Sequence, residues 1–343
     1  MKRYIIIMYT ALLLSGCGRQ TAGWQTGDVA LVRAVGVDVA PSGVALTAWG
    51  GDIECPIVLK AEGVSIADGV RALQRRGDRF VHVGHANQLL LGEAFVRDGT
   101  AQLLDFVARD RQIGPGARLW VLREDGVLAD VPDVAARLER LAKDGVVDCS
   151  GTRLMRAMAE NGSVAVPALC WEENGLQPAG YAVLRQGRLV GFLDGAQSLG
   201  LELLCGEHAG QMLEVELPDG ARIVLSVKNA AFRYEPQTEA GRMVGATVHS
   251  SIGLVPRQGP SLTDEQRQAV ARLAEGVLCR RLAAVLACAQ FWDADFTGVE
   301  QRLRGACSAQ EWGAVDWDRD FRALPMQVAA SVQISWPADM VEE

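Results

Sequence analysis

Histidine is scarce in this chain, with four in 343 residues, and none stands at ligand spacing to a cysteine. That leaves little from which to build an imidazole-bound metal centre. The eight cysteines include no CxxC pair. Basic runs are missing as well: Asp and Glu outnumber Lys and Arg 42 to 34, a formal net charge of −8. Such a balance argues against nucleic acid, and against direct binding of an anionic lipid surface. No G-x-S-x-G elbow, Walker loop or dinucleotide fingerprint occurs. Beyond residue 16 no apolar stretch reaches the ~20 residues needed to cross a bilayer. The best candidate, residues 270–291, is interrupted by Arg272, Glu275, Arg280 and Arg281. Neither an internal repeat nor a low-complexity tract is visible.

What is present starts with Lys2 and Arg3, an apolar run over residues 5–14, and then Leu14-Ser15-Gly16-Cys17. This is a secretory leader (residues 1–16) whose small-residue cleavage site ends in a cysteine. It has the form of a lipobox, which predicts Cys17 as the lipidated first residue of the mature chain. Two acyl chains at ~0.8 kcal/mol per buried methylene would anchor it with on the order of 20 kcal/mol. An ordinary cleaved signal followed by a coincidental cysteine is the alternative. Residues 17–28 are polar and glycine-rich, suited to a tether. The remainder is long enough for two or three domains, each with its own core. Its other cysteines are Cys55, Cys149, Cys170, Cys205, Cys279, Cys288 and Cys307. An odd count forbids complete internal pairing, and nothing in the spacing asks for a disulfide. Most read as small buried apolar residues.

Apolar segments at 30–39 and 44–49 flank Pro41-Ser42-Gly43 and predict a hairpin. Ser65 opens an amphipathic helix running to Gly77. Short strands at 80–83 and 88–91 flank a Gly84-His85 turn, and helices follow at 93–97 and 100–109. A strand at 119–122 and a helix at 131–143 complete this part. The composition of residues 167–178 is loop-like, which places the main division there. The expected organisation is an N-terminal α/β domain over 29–176 and a C-terminal α/β region over 177–343, open to further division near residue 240.

Strands are expected in the second half at 180–184, 188–193, 211–217, 221–227 and 243–254. Thr263 and Gln266 form a capping box before a long helix whose apolar arc includes Val270, Leu273, Val277, Leu282 and Val285. A half-buried strand at 327–336, antiparallel to its neighbours, closes the chain. The fold class is therefore α+β or mixed α/β, with several subdomains, mainly antiparallel or mixed sheets, and a long amphipathic helix near the C-terminus.

Two constellations invite a chemical reading, and each has a plainer one. His82 and His85 are the one histidine pair, but a strand end and a turn need not bring their imidazoles together, and no third ligand stands nearby. Asp293 and Asp295 could serve as paired carboxylates. Acid–base work needs two distinct environments facing one cleft, whereas helix termination and turn formation explain adjacent aspartates simply.

Several words, weak singly, then become specific in combination. Val35-Gly36-Val37-Asp38 ends an apolar strand. Gly84-His85, Leu89-Leu90-Leu91-Gly92-Glu93, Gly99, Leu103-Leu104-Asp105-Phe106 and Arg109-Asp110 follow in order. Pro167-Ala168-Leu169, Gly180-Tyr181-Ala182-Val183 and Leu189-Val190-Gly191 come next, then Asp293 and the segment from Trp312 to Phe321. With the leader, this series resembles the Ger(x)C, or GerAC-type, spore germination lipoproteins over nearly the whole mature chain.

The resemblance implies the non-catalytic C subunit of a nutrient germinant receptor, required for germination in response to nutrients. Such proteins are lipid-anchored on the outer face of the spore inner membrane, beside integral membrane A-type and B-type subunits. Cofactors are not implied. Carried over residue by residue, Cys17 is the lipidation site. Gly84, His85, Gly92, Glu93, Arg109 and Asp110 are fold or partner-contact positions, the glycines suiting positive φ or close approach and Arg109 and Asp110 suiting capping or pairing. This chain departs from most members in being acidic rather than lysine-rich. Two rivals share the compartment: a solute-binding lipoprotein of a transport system, which should show two similar lobes, and a cell-wall hydrolase.

Overall fold

The computed structural model describes residues 29–336, except 52–55, 77–79, 111–112, 124–133, 144–149, 161 and 207–210. The leader, Cys17, the tether, Cys55 and Cys149 fall outside the described residues. Strands β1 (Val29–Ala40), β2 (Gly43–Gly51) and β3 (Pro56–Gly63) make an antiparallel meander. The Pro41-Ser42-Gly43 hairpin is as expected, while β3 was not anticipated. Helix α1 (Ile66–Gln74) starts where Ser65 caps it, its hydroxyl accepting from the Asp68 amide, and buries Ile66, Val70 and Leu73. It ends three residues short of Gly77, where the Arg75 and Arg76 amides close on the carbonyls of Ala72 and Leu73.

Strand β4 (Phe80–His82), a 3₁₀ turn over Val83–His85, and β5 (Gln88–Gly92) lead into helices α2 (Glu93–Asp98) and α3 (Ala101–Arg109). Strand β6 (Arg118–Leu122) and helices α4 (Val134–Leu141) and α5 (Gly151–Glu160) follow. Strands β7 (Ser163–Glu172), β8 (Gly175–Arg185) and β9 (Arg188–Leu193) complete a nine-stranded sheet. Its order is β3-β2-β1-β5-β6-β7-β8-β9, with β4 beside the start of β1. The central β1, β5, β6 and β7 are mutually parallel and the outer pairs antiparallel. Parallel neighbours need long crossovers, which the intervening helices supply.

Residues 167–178 are thus a hairpin rather than a loop, and the division expected at 176/177 falls inside one sheet that continues to Leu193. The misleading signals were Pro167, Pro178 and Gly175. The two prolines flank a register shift between Pro167 and Leu169 in the β7–β8 pair, an irregularity that tolerates missing amide donors.

Beyond the sheet come helix α6 (Gly195–Cys205) and strands β10 (Met212–Glu216), β11 (Arg222–Glu239) and β12 (Arg242–Gln258). Helices α7 (Asp264–Phe291), α8 (Val299–Ala306), α9 (Ala309–Gly313) and α10 (Trp317–Asp320) precede β13 (Met326–Ile334). The second sheet runs β10-β11-β12-β13. The Thr263–Gln266 capping box is present. The buried stripe of α7 is Val270, Ala274, Leu278, Leu282, Val285, Leu286 and Ala289. Leu273, expected on it, is instead 37% exposed. Strand β13 is parallel to β12, not antiparallel, because the chain returns through the α7–α10 crossover rather than a hairpin. Its outward amides meet α7: Ala330 N–H points at Cys279 Sγ (3.3 Å) and Val332 N–H donates to Glu275 (3.1 Å). Side chains thereby satisfy donors on an exposed edge.

Alternation along the central strands explains two of the cores. Leu89, Leu91, Leu119 and Val121 face α1, α2 and α3 in one cluster. Leu90, Trp120 and Leu122 face α4 with Trp49 in another. Strands apolar on both faces are what a covered parallel sheet requires. A third cluster joins the halves: Tyr181, Val183 and Leu193 of the first sheet pack with α6, α7 and the inner face of the second sheet.

Candidate functional site

The positions singled out from the sequence do not converge on one site. Gly84 and His85 lie in the exposed 3₁₀ turn before β5, and Gly92 and Glu93 follow its other end, roughly 13 Å away at strand rise. Gly84 has no positive φ. His82 and His85 do approach, contrary to expectation, with ring centroids 5.4 Å apart edge to face. Among the described residues no group of three potential ligands gathers for a metal. Arg109 pairs with Asp105 one turn back (2.5 Å), and Asp110 is the C-cap of α3, its amide donating to the Phe106 carbonyl. Glu93 pairs with Arg97 in the same way within α2.

Gly92 has a definite physical role. It is buried at φ −65°, an ordinary backbone, yet a Cβ there would run into the Asp38 carboxylate. Asp38 itself accepts from the Val39 amide (2.8 Å). The Gly-x-Asp word and the Gly-Glu word of the sequence are thus one contact, glycine under aspartate, where β1 and β5 end side by side. Gly92→Ala should destabilise the chain by about 1 kcal/mol, a modest loss because the far end of a half-exposed Asp38 can swing aside. A double-mutant cycle with Asp38→Ala in thermal unfolding checks this. The Gly92→Ala penalty should vanish in the Asp38→Ala background.

A concavity lies elsewhere, at the joint between the two halves. Helix α5 and the start of β7 form one wall, and residues 296–302 at the start of α8 form the other, around a cleft of 470 Å³. The opposing walls are tied by Gln301, whose amide reaches Glu160 (3.4 Å), and the two halves are tied beside the cleft by Arg185, which donates to Asp293 (2.6 Å). Trp292 packs against Gly191 of β9, so closely that a Cβ there would collide with its ring. Both aspartates of the adjacent pair, Asp293 and Asp295, are committed to this joint. Asp293 pairs with Arg185. Asp295 is buried and accepts from the amides of Val299 (2.9 Å) and Glu300 (2.7 Å), capping α8 from within.

Three guanidinium groups and one carboxylate line the cleft: Arg153, Arg156, Arg302 and Glu160. Arg156 is held by Glu160 (2.9 Å). Arg302 donates to the Tyr234 hydroxyl (2.6 Å) and the Leu204 carbonyl (2.7 Å). Burial raises the Tyr234 hydroxyl above its ordinary range, with Arg302 pulling the other way. Sequence reading missed all four residues, although the Arg153-x-x-Arg156 spacing on one helical face was available. Deeper in the joint, Tyr181 donates to Glu202 on α6 (2.7 Å). Burial lifts that carboxyl to about 7, and the Tyr181 hydrogen bond only partly offsets the rise. Cys279, Cys288 and Cys307 are free thiols.

With this geometry in hand, the comparisons are consistent. A family model described as spore germination protein N-terminal domain matches residues 27–131. A second, described as spore germination B3/GerAC like, C-terminal, matches residues 179–336. Among solved structures, the crystal structure of the GerBC protein superposes with a TM-score of 0.60 at 17% identity, covering 88% of this chain and 96% of that one. At that identity the likeness concerns the fold. No protein of curated function matches the chain.

Proposed function

This chain belongs to the GerAC-like family of spore germination proteins, and from that premise we propose that it is the C subunit of a nutrient germinant receptor. The observation carrying the reading is the pair of family matches, N-terminal before C-terminal, over residues 27–131 and 179–336. In this reading Cys17 carries the lipid. The folded body sits on the outer face of the spore inner membrane, against integral A-type and B-type subunits. No helix among the described residues is long and apolar enough to cross a membrane; in this reading attachment is by the lipid and by those partners. The exposed pair Gly84 and His85, and Arg109 with Asp110, are offered to partners, while Gly92 and Glu93 serve the fold.

A non-catalytic role is supported by the engagement of Asp293 and Asp295 in structural contacts. The rival reading as a two-lobed solute-binding protein calls for similar halves. Here one sheet has nine strands with a parallel centre and the other has four.

Deletion of the gene should abolish germination in response to some nutrients while growth and sporulation stay normal. A normal nutrient response in a strain without paralogues would overturn the assignment. Complementation with Cys17→Ala tests the anchor separately: the product should leave the membrane fraction and restore germination poorly. Full activity from an equally membrane-bound Cys17→Ala product would remove the lipid from the account.

A further inference from the structure

We propose that the cleft between α5 and the start of α8 binds a small carboxylate-bearing solute, with Arg153 and Ser163 as its anchors. The cavity, 470 Å³, is within the range that holds small ligands. Its polar lining is mostly spoken for, and the exceptions are what matter. Arg156 is held by Glu160, and Arg302 by Tyr234 and the Leu204 carbonyl. The half-buried Arg153 contributes only its backbone amide, to Ser150 Oγ, and its guanidinium has no partner among the described residues. Ser163 is 3% exposed, lines the same cleft, and its hydroxyl is likewise uncommitted.

A half-buried guanidinium with no partner among the described residues is an unbalanced charge, and the cleft lining holds three arginines against one carboxylate, with Asp295 behind the α8 wall engaged by the Val299 and Glu300 amides. In a chain of net charge −8 that is a local arrangement rather than a bulk property. The helix starts nearby do not supply the anion site, since the α8 amides are taken by Asp295 and the α5 amides of Thr152 and Arg153 by Pro115 and Ser150. One planar fork and one hydroxyl match the oxygens of a carboxylate, which a guanidinium grips in bidentate fashion. A phosphate dianion would leave oxygens unmet. Val164, Ala165 and Phe296 give the wall an apolar stretch for the body of the solute.

The test uses the full chain purified in detergent at constant ionic strength, titrated by calorimetry. The probes are butyrate, benzoate and succinate, with butyramide and inorganic phosphate as comparators. At least one carboxylate should bind saturably, butyramide should not, and phosphate should bind more weakly. Arg153→Gln should weaken binding at least tenfold and Arg153→Lys less. Carboxylate binding should slow hydrogen exchange over residues 151–157 and 296–302. Should Arg153→Gln fail to fold, Ser163→Ala and the exchange footprint on the unmodified chain decide the matter. Absence of saturable carboxylate binding, phosphate binding as tight as the best carboxylate, undiminished affinity in Arg153→Gln, or protection confined elsewhere would each overturn the proposal.

Discussion

Gly180→Ala is expected to lower stability by about 4 kcal/mol, from roughly 1–3 kcal/mol of backbone strain and a similar overlap cost. Gly180 sits at φ +84°, and a Cβ there would collide with the Leu193 carbonyl and the Asp194 backbone. Neither neighbour can retreat freely. Leu193 is fully buried and faces Tyr181 across the β8–β9 pair. Asp194 is the N-cap of α6 and forms a reciprocal box with Gln197. The collision is therefore with main chain that starts a helix, not with a side chain that can swing. For a chain of this size such a loss lowers the melting temperature by on the order of 10 °C. Gly195, one residue past the cap, supplies the control: nothing lies within 4 Å of its would-be Cβ, so Gly195→Ala should gain up to about 1 kcal/mol. Circular dichroism melts of the two variants should move in opposite directions. An unchanged melt for Gly180→Ala would mean that the β9–α6 corner yields more easily than its contacts imply.

The same corner shows how much of this molecule could be read beforehand. Features set by neighbours in the chain were legible: the Thr263–Gln266 box, the β1–β2 turn, and the α1 cap at Ser65. Helix α6 was not, for a physical reason. Residues 199–204 are all buried, so the helix shows no apolar stripe against a polar face, and a period of 3.6 has nothing to mark. The direction of β13 depends on a crossover of some seventy residues between β12 and β13, which its own alternation cannot report. The joint cleft was invisible because its walls are distant in sequence, Glu160 meeting Gln301 across 141 positions. The Asp38–Gly92 contact stands between these cases. Each word was visible as a likeness to a family, but that one exists to admit the other required the pairing of β1 with β5.

Glu202 links burial in that joint to pH. Its carboxyl is raised from 4.5 to about 7 because burial disfavours the charged form, and the Tyr181 hydroxyl offsets this only in part. Below pH 4.5 the group is protonated in both folded and unfolded chains and carries no penalty. Between 4.5 and about 7 the folded chain holds the proton while the unfolded chain releases it, so stability falls as pH rises. Above about 7 both are ionised and the full cost, on the order of 3 kcal/mol, is present. Gln keeps an oxygen to accept from Tyr181 but cannot ionise. Glu202→Gln should accordingly melt close to the unmodified chain at pH 4.5 and several degrees higher at pH 8, the difference opening between those limits. The site packs between the two sheets, within the cluster formed by Tyr181, Leu201, Leu203 and the α7 stripe, so the penalty bears on how firmly the halves hold together. If the difference between Glu202→Gln and the unmodified chain is the same at pH 4.5 and pH 8, the carboxyl is not titrating in the folded core.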